Sequence, residues 1–214
     1  MPRAAEPRAA IRQCERFEAA HDAAGIPLDR WWKDRRDVLD ALILAPAPVD
    51  HGFARFLLGQ ETRFHRHCWG FSHSIEVAAL LLAEHRRPDD IWHLWRAITA
   101  GFDSWCGLPH RLLLAGGGTQ RTVSYVADSE HEQRNNLLGH LYELQAATDD
   151  DVTTLIAERR RYYADSSANR TQPWGWPLGR ADPREPAPVR PCSGRPAAQW
   201  AGLPKTGRRG SARI

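Results

Sequence analysis

The sequence predicts an all-α protein, a single domain of seven or eight helices arranged as a helical bundle or an irregular array of helical hairpins. Three observations predict this fold class. Apolar residues recur at helical spacing almost to residue 163, capping residues stand at the starts of several segments, and no stretch shows sustained alternation with period two. A chain of 214 residues, 42% hydrophobic and 26% charged, is long enough to bury one substantial core.

The first part of the chain is predicted to contain four helices. The first covers about residues 7–24, and the second begins at Pro27, because proline suits a first helical turn. The third covers about 49–66, and Ser72 is a candidate N-cap of the fourth. Their apolar stripes are Ile11, Cys14, Phe17 and Ala20; Leu28, Trp31, Val38 and Leu42; Val49, Phe53, Phe56 and Phe64; and Phe71, Ile75, Ala78 and Leu82.

Residues 88–107 give the clearest helical pattern. The first turn holds a proline and two acidic residues, which suit the positive end of the helix dipole, and Gly107 is a plausible end. A continuous helix would place one apolar stripe against the core, made of Ile91, Trp95, Ile98, Phe102 and Trp105.

Three more helices are predicted after residue 115. Thr119 is the expected N-cap of the first, and "SEHE" at 129–132 has the pattern of a capping box for the second. The third, "TDDDVTTLIAERRRYY", has three aspartates in its first turn and three arginines in its last, an order that suits the helix dipole at both ends.

The chain is predicted to divide into a helical domain, 1–165, and a disordered Pro/Arg/Gly-rich basic tail, 166–214. The tail holds eight of the 15 prolines and few clustered aliphatic residues, so it cannot bury enough apolar surface to fold. Its nine Lys/Arg and two Asp/Glu give +7, which leaves −4 for residues 1–165 of a chain whose total is +3. Out-of-frame translation at the end of a GC-rich gene would give the same composition.

Composition favours a cytoplasmic protein without a membrane span. Four cysteines in a chain of this length do not make a disulfide framework, and the N-terminal residues lack the apolar core of a signal peptide. The longest apolar run, "VAALLLA" at 77–83, is far shorter than the roughly 20 residues that cross a bilayer.

The stretch "RFHRHCWGFSHS", 63–74, is the strongest candidate for chemistry. If it joins two helices, His65, Cys68 and His73 could supply three zinc ligands, with His51 or a water as the fourth. Only one H-x-x-C pair is present, and no established zinc motif occurs in the chain. The alternative is structural: Cys68 is a small buried residue and the histidines line the rim of a helix.

Other chemical patterns are weaker. Asp103, Cys106 and His110 could act as orienter, nucleophile and base, but a cysteine at a helix C-terminus is a poor thiolate. The glycines of "AGGGTQRT", 115–122, lack the lysine of a phosphate-binding loop, and the acidic runs at 89–90 and 149–151 have the positions of helix caps.

The nine tryptophans give the best functional signal. Spacing places Trp95 and Trp105 in the core, whereas Trp32, Trp69 and Trp92 fall off the predicted stripes. Exposed tryptophans are enriched at protein interfaces, so these three are the predicted interaction surface.

The sequence therefore predicts a non-enzymatic adaptor, regulatory or immunity-type protein that binds another protein through a Trp-rich helical surface and needs no cofactor. Two alternatives stay open. One is a metal-binding protein or metal-dependent enzyme centred on residues 65–73. The other is nucleic-acid binding through the basic tail, with its arginines and Trp174, Trp176 and Trp200.

Overall fold

A computed structural model of the chain describes residues 15–45 and 48–168, which form eight α-helices, two 3₁₀ segments and one short β-hairpin. The helices are α1 (Trp32–Leu44), α2 (His51–His67), α3 (His73–Ala83), α4 (Ile91–Ile98), α5 (Phe102–Gly107), α6 (Gly118–Ala127), α7 (Arg134–Glu143) and α8 (Asp149–Ala168). The 3₁₀ segments are Pro88–Asp90 and His110–Gly116. The all-α fold class is confirmed. None of the helices described combines the length and apolar character that a membrane span needs.

Helix α3 forms the centre of the core because it is apolar on nearly every side. All residues from Ser74 to Ala83 are buried, as expected for a helix surrounded by other elements. Helices α1, α2 and α8 and the segment His110–Gly116 pack against it. The apolar run at 77–83 is therefore the middle of a globular core.

Side-chain caps fix where three of the helices begin. The Asp50 carboxylate accepts the Phe53 N–H at 2.9 Å, and the Ser72 hydroxyl accepts the Ser74 N–H at 3.3 Å. Before α8, Thr148 and Asp151 form a reciprocal capping box, with backbone-to-side-chain distances of 2.8 and 3.1 Å. The predicted cap at Ser72 and the acidic first turn of α8 are confirmed.

Two other predicted caps are wrong. Helix α6 begins at Gly118, and the Thr119 hydroxyl instead donates to the carbonyl of Ala147 at 3.0 Å. Helix α7 begins at Arg134 rather than after a capping box at 129–132, and the Ser129 hydroxyl donates to the Val126 carbonyl at 2.8 Å. Both hydroxyls satisfy backbone acceptors, whereas an N-cap would satisfy a donor.

The predicted helix over residues 7–24 is wrong in its described part. Ala19–His21 pairs antiparallel with Pro27–Asp29, and Ala20 lies opposite Leu28. The Asp22 carboxylate turns the chain between these strands by accepting backbone N–H groups at 2.9 and 2.8 Å. Residues 7–14 lie outside the described residues.

Helix α8 continues to Ala168, past the predicted domain boundary at residue 165. The predicted arginine-rich last turn is therefore an internal turn. Arg160 uses this position to bind the Ala45 carbonyl at 2.5 Å and to pair with Glu84, which connects α8 to the ends of α1 and α3. The predicted disordered tail from residue 169 onward, including its three tryptophans, lies outside the described residues.

The single helix predicted over 88–107 is two helices, α4 and α5, separated at Gly101. Gly101 has an extended backbone with φ −169°. The carbonyl oxygen of His65 lies 3.5 Å from the position that a Cβ on Gly101 would take. The end of α2 therefore lies against this break. Beyond it the predicted core stripe holds only in part, since Phe102 is 65% exposed whereas Trp105 packs against the core.

A buried ionic cluster joins the hairpin to α1 and α2. Arg35 is fully buried and pairs with Asp29 at 2.6 Å and with Glu61 at 2.5 Å. Asp29 also accepts the backbone N–H groups of Glu18 and Trp31 at 2.9 and 3.1 Å. Buried charges are tolerated only when they are paired and hydrogen-bonded. This cluster therefore fixes the position of α2, whose C-terminal end carries the candidate site.

Candidate interaction surface

The loop that follows α2, residues 68–72, is held by hydrogen bonds from two sides. The Ser72 N–H donates to Nε2 of His65 at 3.1 Å, and the Gly70 N–H donates to the carboxylate of Asp103 at 3.0 Å. Gly70 has φ +92°, a conformation that side chains other than glycine rarely adopt. The loop is thus a defined turn that is hydrogen-bonded to α2 through His65 and to α5 through Asp103.

Phe71 anchors the inner side of this loop. Its ring packs against the hydrophobic core, and a Cβ on Gly107 would lie 2.5 Å from a ring carbon. Only glycine at position 107 leaves this space. The Phe71 ring also contacts the rings of His65 and His73, with centroids 6.1 and 5.7 Å apart. Because Phe71 faces inward, the loop is firmly attached to the body of the protein.

Trp69 and Phe102, which we call the aromatic corner, lie on the outer side. They are the two most exposed large hydrophobic side chains among the residues described, 95% and 65% accessible. Each immediately precedes one partner of the Gly70–Asp103 hydrogen bond, so this bond keeps their backbones close. Covering a large side chain stabilises a complex by roughly 1.5–3 kcal/mol. The aromatic corner therefore has binding energy that the fold does not use.

Arg66 and Arg96, which we call the arginine pair, lie in the last turns of the two helices that precede this corner in the chain, Arg66 before Trp69 and Arg96 before Phe102. Both are exposed. Partial burial, followed by the nearby positive charge of Arg96, lowers the pKa of Arg66. Within the described ranges neither guanidinium has a carboxylate at ion-pairing distance. The two like charges are thus close together without a counter-charge.

The three predicted metal ligands have other environments. His65 is buried, its Nδ1 donates to the Glu61 carbonyl at 2.9 Å and its Nε2 accepts the Ser72 N–H. Burial, with a smaller contribution from Asp29, raises the pKa of the Cys68 thiol to about 11, so the thiolate that binds metal is disfavoured. Nδ1 of His73 lies 3.2 Å from the Tyr163 hydroxyl, which donates to buried Glu76 at 2.5 Å.

The described residues do not bring these three side chains together as a metal centre. In the ranges 15–45 and 48–168, no group of three or more His, Cys, Asp or Glu side chains could hold a metal ion. His51, the suggested fourth ligand, lies at the other end of α2. Metal binding at residues 65–73 stays a hypothesis of the sequence without geometric support.

The three tryptophans of the predicted interaction surface also have different environments. Trp69 is fully accessible. Trp32 is 40% exposed at the start of α1. Trp92 packs against the core and stacks on the ring of His131, with centroids 3.8 Å apart. Of the three, only Trp69 is almost fully exposed. It is also associated with a second exposed aromatic residue, Phe102, because the Gly70–Asp103 hydrogen bond joins the residues that follow them.

The side chains of Asp103 and His110 hold backbone groups. Asp103 accepts the Gly70 N–H, and Nε2 of His110 donates to the Trp105 carbonyl at 2.7 Å. The His110 ring belongs to a cluster with Trp95, Trp105 and His140, whose ring centroids are 4.7–6.1 Å apart. Burial lowers the pKa of both histidines. These groups support the packing of α4, α5 and α7.

A second polar network occupies the N-terminal end of α2. Nε2 of His51 lies 2.8 Å from buried Asp90, and Arg55 pairs with Asp90 at 2.5 Å and with Asp89 at 2.6 Å. Arg87 donates to Nδ1 of His51 at 3.1 Å. A histidine beside a buried carboxylate has the parts of a general base. Both ring nitrogens are already hydrogen-bonded, so the network is structural.

Sequence reasoning missed Phe102 and the arginine pair. Phe102 fits the stripe of a continuous helix, and only Gly101 at the preceding position indicated a break. Arg66 and Arg96 are thirty residues apart, and their proximity depends on how α2 packs against α4. Comparisons of the chain with protein-family models, with curated proteins and with solved structures found no match. The functional argument therefore rests on the residues themselves.

Proposed function

We propose that this chain is a non-enzymatic, cytoplasmic protein-interaction module that binds another protein through the aromatic corner. The observation that carries the proposal is Trp69, which is 95% exposed on a loop that is otherwise tightly hydrogen-bonded. A large aromatic side chain in water gains none of the free energy that burial of its apolar surface would give. Tryptophan is also among the residues most enriched at the centres of protein interfaces.

The rigidity of the loop supports this function. A mobile tryptophan would lose conformational entropy on binding, which weakens an interface. Here the backbone on the C-terminal side of Trp69 is fixed by Gly70, Phe71 and Ser72, and Phe102 is fixed at the start of α5. The backbone that carries the aromatic corner is therefore preorganised, and binding needs little reordering of the main chain.

Site-specific photo-cross-linking in the native cells tests the proposal. Benzoylphenylalanine replaces Trp69 in one variant, Phe102 in a second, and exposed Tyr142 on α7 in a control. We expect the same protein to be cross-linked from positions 69 and 102 and not from position 142. Cross-links that are absent at 69 and 102, or equal at all three positions, would contradict it.

The partner identified in this way is then purified for titration calorimetry. Trp69→Ala should weaken binding about 30-fold, the loss typical of a central interface residue. Tyr142→Ala, at another exposed aromatic residue, should change the affinity less than twofold. Equal effects of the two substitutions would overturn the proposal.

A further inference from the structure

Three exposed arginines near the aromatic corner lack a counter-charge among the residues that the structure describes. Arg66 and Arg96 are exposed, and Arg63 lies one turn before Arg66 on α2. In the described part of the chain, none of the three has an ion-pair or hydrogen-bond partner. Residues i and i+3 share a helix face, so Arg63 extends the positive charge along α2.

The exposed carboxylate of α5 already has a hydrogen-bond partner in the loop. Asp103 is exposed, but one of its oxygens accepts the Gly70 N–H of the loop and so holds the aromatic corner together. Among residues 15–45 and 48–168, no carboxylate therefore pairs with Arg66 or Arg96 to relieve the repulsion between them. A group that places negative charge between them would be attracted by both.

We infer that the corner binds an acidic segment of the partner protein, with carboxylates at the arginine pair and an apolar side chain on Trp69 and Phe102. This inference rests on the proposed function. It goes further by stating what the partner segment must carry: at least one Asp or Glu next to a large apolar residue. Charged groups at the rim of an interface steer encounter and select the partner, while the aromatic residues supply most of the affinity.

The overall charge favours a short acidic segment over a nucleic acid. Residues 1–165 have a net charge of −4, since the +3 of the whole chain includes +7 from residues 166–214. A long polyanion would run beyond the arginine pair onto this acidic body. At physiological salt, charges further apart than about 8 Å are largely screened, so a few carboxylates sense mainly the local arginines.

A displayed library of random peptides is the test, because it needs no knowledge of the natural partner. The full chain is the bait, and three variants follow in parallel: Trp69→Ser with Phe102→Ser, Arg66→Glu with Arg96→Glu, and the control Arg161→Glu. Arg161 is an exposed arginine on α8 next to the exposed ring of Tyr162. A labelled oligothymidine is titrated against the same four proteins.

We expect the selected peptides to be enriched in Asp or Glu beside an aromatic or aliphatic residue. Their affinity should fall about 25-fold in the variant with both arginines reversed, become weaker at high salt, and stay unchanged in the Arg161 control. Peptides that need Trp69 and Phe102 but show no acidic enrichment would overturn this inference and leave the proposed function standing. Oligothymidine binding that depends on the arginine pair would overturn it in favour of nucleic acid. If no selected peptide depends on Trp69 and Phe102, the proposed function itself fails.

Discussion

The two ends of helix α2 carry similar side chains in opposite electrostatic situations. At its start, Arg55 is paired with Asp89 and Asp90 at 2.6 and 2.5 Å. At its end, Arg66 faces another arginine and, within the described residues, no carboxylate. Both ends pack beside α4, which begins next to the first network and ends beside the second.

The difference shows which charged groups are paired within the fold and which stay unpaired among the described residues. A network in which each donor has an acceptor inside the chain stabilises the folded state, and nothing remains for another molecule to bind. Unpaired charges beside exposed aromatic rings contribute little to folding and can contribute to binding. The N-terminal end of α2 is thus structural, and its C-terminal end is the candidate interface.

The largest loss of stability is expected on substitution of Arg35, because its guanidinium is fully buried and pairs with two carboxylates. Arg35→Met leaves the buried carboxylates of Asp29 and Glu61 without their cation, which should cost about 3–5 kcal/mol of unfolding free energy. Arg30→Met is the matched control, because Arg30 pairs with Glu18 at the surface and its loss should cost less than about 1 kcal/mol. Urea denaturation followed by circular dichroism measures both. Equal losses would contradict the structural role of the cluster.

A smaller difference in unfolding free energy is expected between substitutions of two aspartates, Asp90, which pairs with the N-terminal part of α2, and Asp103, which contacts the loop after its C-terminal end. Asp90→Ala leaves His51 and Arg55 without their buried acceptor and should cost about 1–3 kcal/mol. Asp103→Ala removes one exposed hydrogen bond to Gly70 and should cost about 0.5–1 kcal/mol. The comparison uses the same urea assay. A greater loss for Asp103→Ala would reverse our view of which end is structural.

The C-terminal end should also respond to pH through His65. Burial lowers the pKa of His65, because desolvation penalises the charged imidazolium. The neutral ring accepts the Ser72 N–H through Nε2. The unfolded chain therefore takes up a proton more readily, and stability falls as the pH decreases below about 6.5, by at most about 1.4 kcal/mol per pH unit. His65→Gln keeps an acceptor without a titrating group and should reduce this slope.

Urea denaturation at several pH values between neutral and acidic measures the effect. Burial lowers the pKa of His93, His110 and His140 as well, so the slope should shrink in the variant without disappearing. An identical slope in the wild type and in His65→Gln would show that His65 does not titrate differently in the folded state.

The smallest effect on stability is expected at the aromatic corner. Trp69→Ser and Phe102→Ser should each change the unfolding free energy by no more than about 0.5 kcal/mol, because both side chains are mostly in water. Trp95→Ala, in the core, should cost about 3–5 kcal/mol. A decrease in unfolding free energy above about 1 kcal/mol for Trp69→Ser would mean that this ring stabilises the fold, which would contradict its proposed role in binding.

The helices were predictable because their signals are local. Ser72, the acidic first turn of α8 and the apolar residues of α3 act over one or two helical turns, so the sequence shows them directly. The hairpin at residues 19–29 gave no signal because each of its strands is three residues long. It depends on Asp22 and on the distant Arg35, which periodicity does not detect.

The candidate site was predictable only in part. Trp69 departs from every helical stripe, and this identified it correctly as exposed. Trp92 also departs from its stripe, but His131 covers its ring from another part of the chain. Phe102 fits a stripe and yet is exposed, because the extended backbone at Gly101 ends the helical periodicity before it. A contact far away in sequence decided the outcome for Trp92, and a local break in the backbone decided it for Phe102.

The hydrogen bond between Gly70 and Asp103 makes the proposed interaction surface discontinuous in sequence. Trp69 and Phe102 come from separate segments, so a synthetic peptide that copies either segment would present half of the determinant without its geometry. Heat-denatured chains would likewise escape recognition. A partner that reads this surface would thereby distinguish correctly folded molecules from nascent or damaged ones.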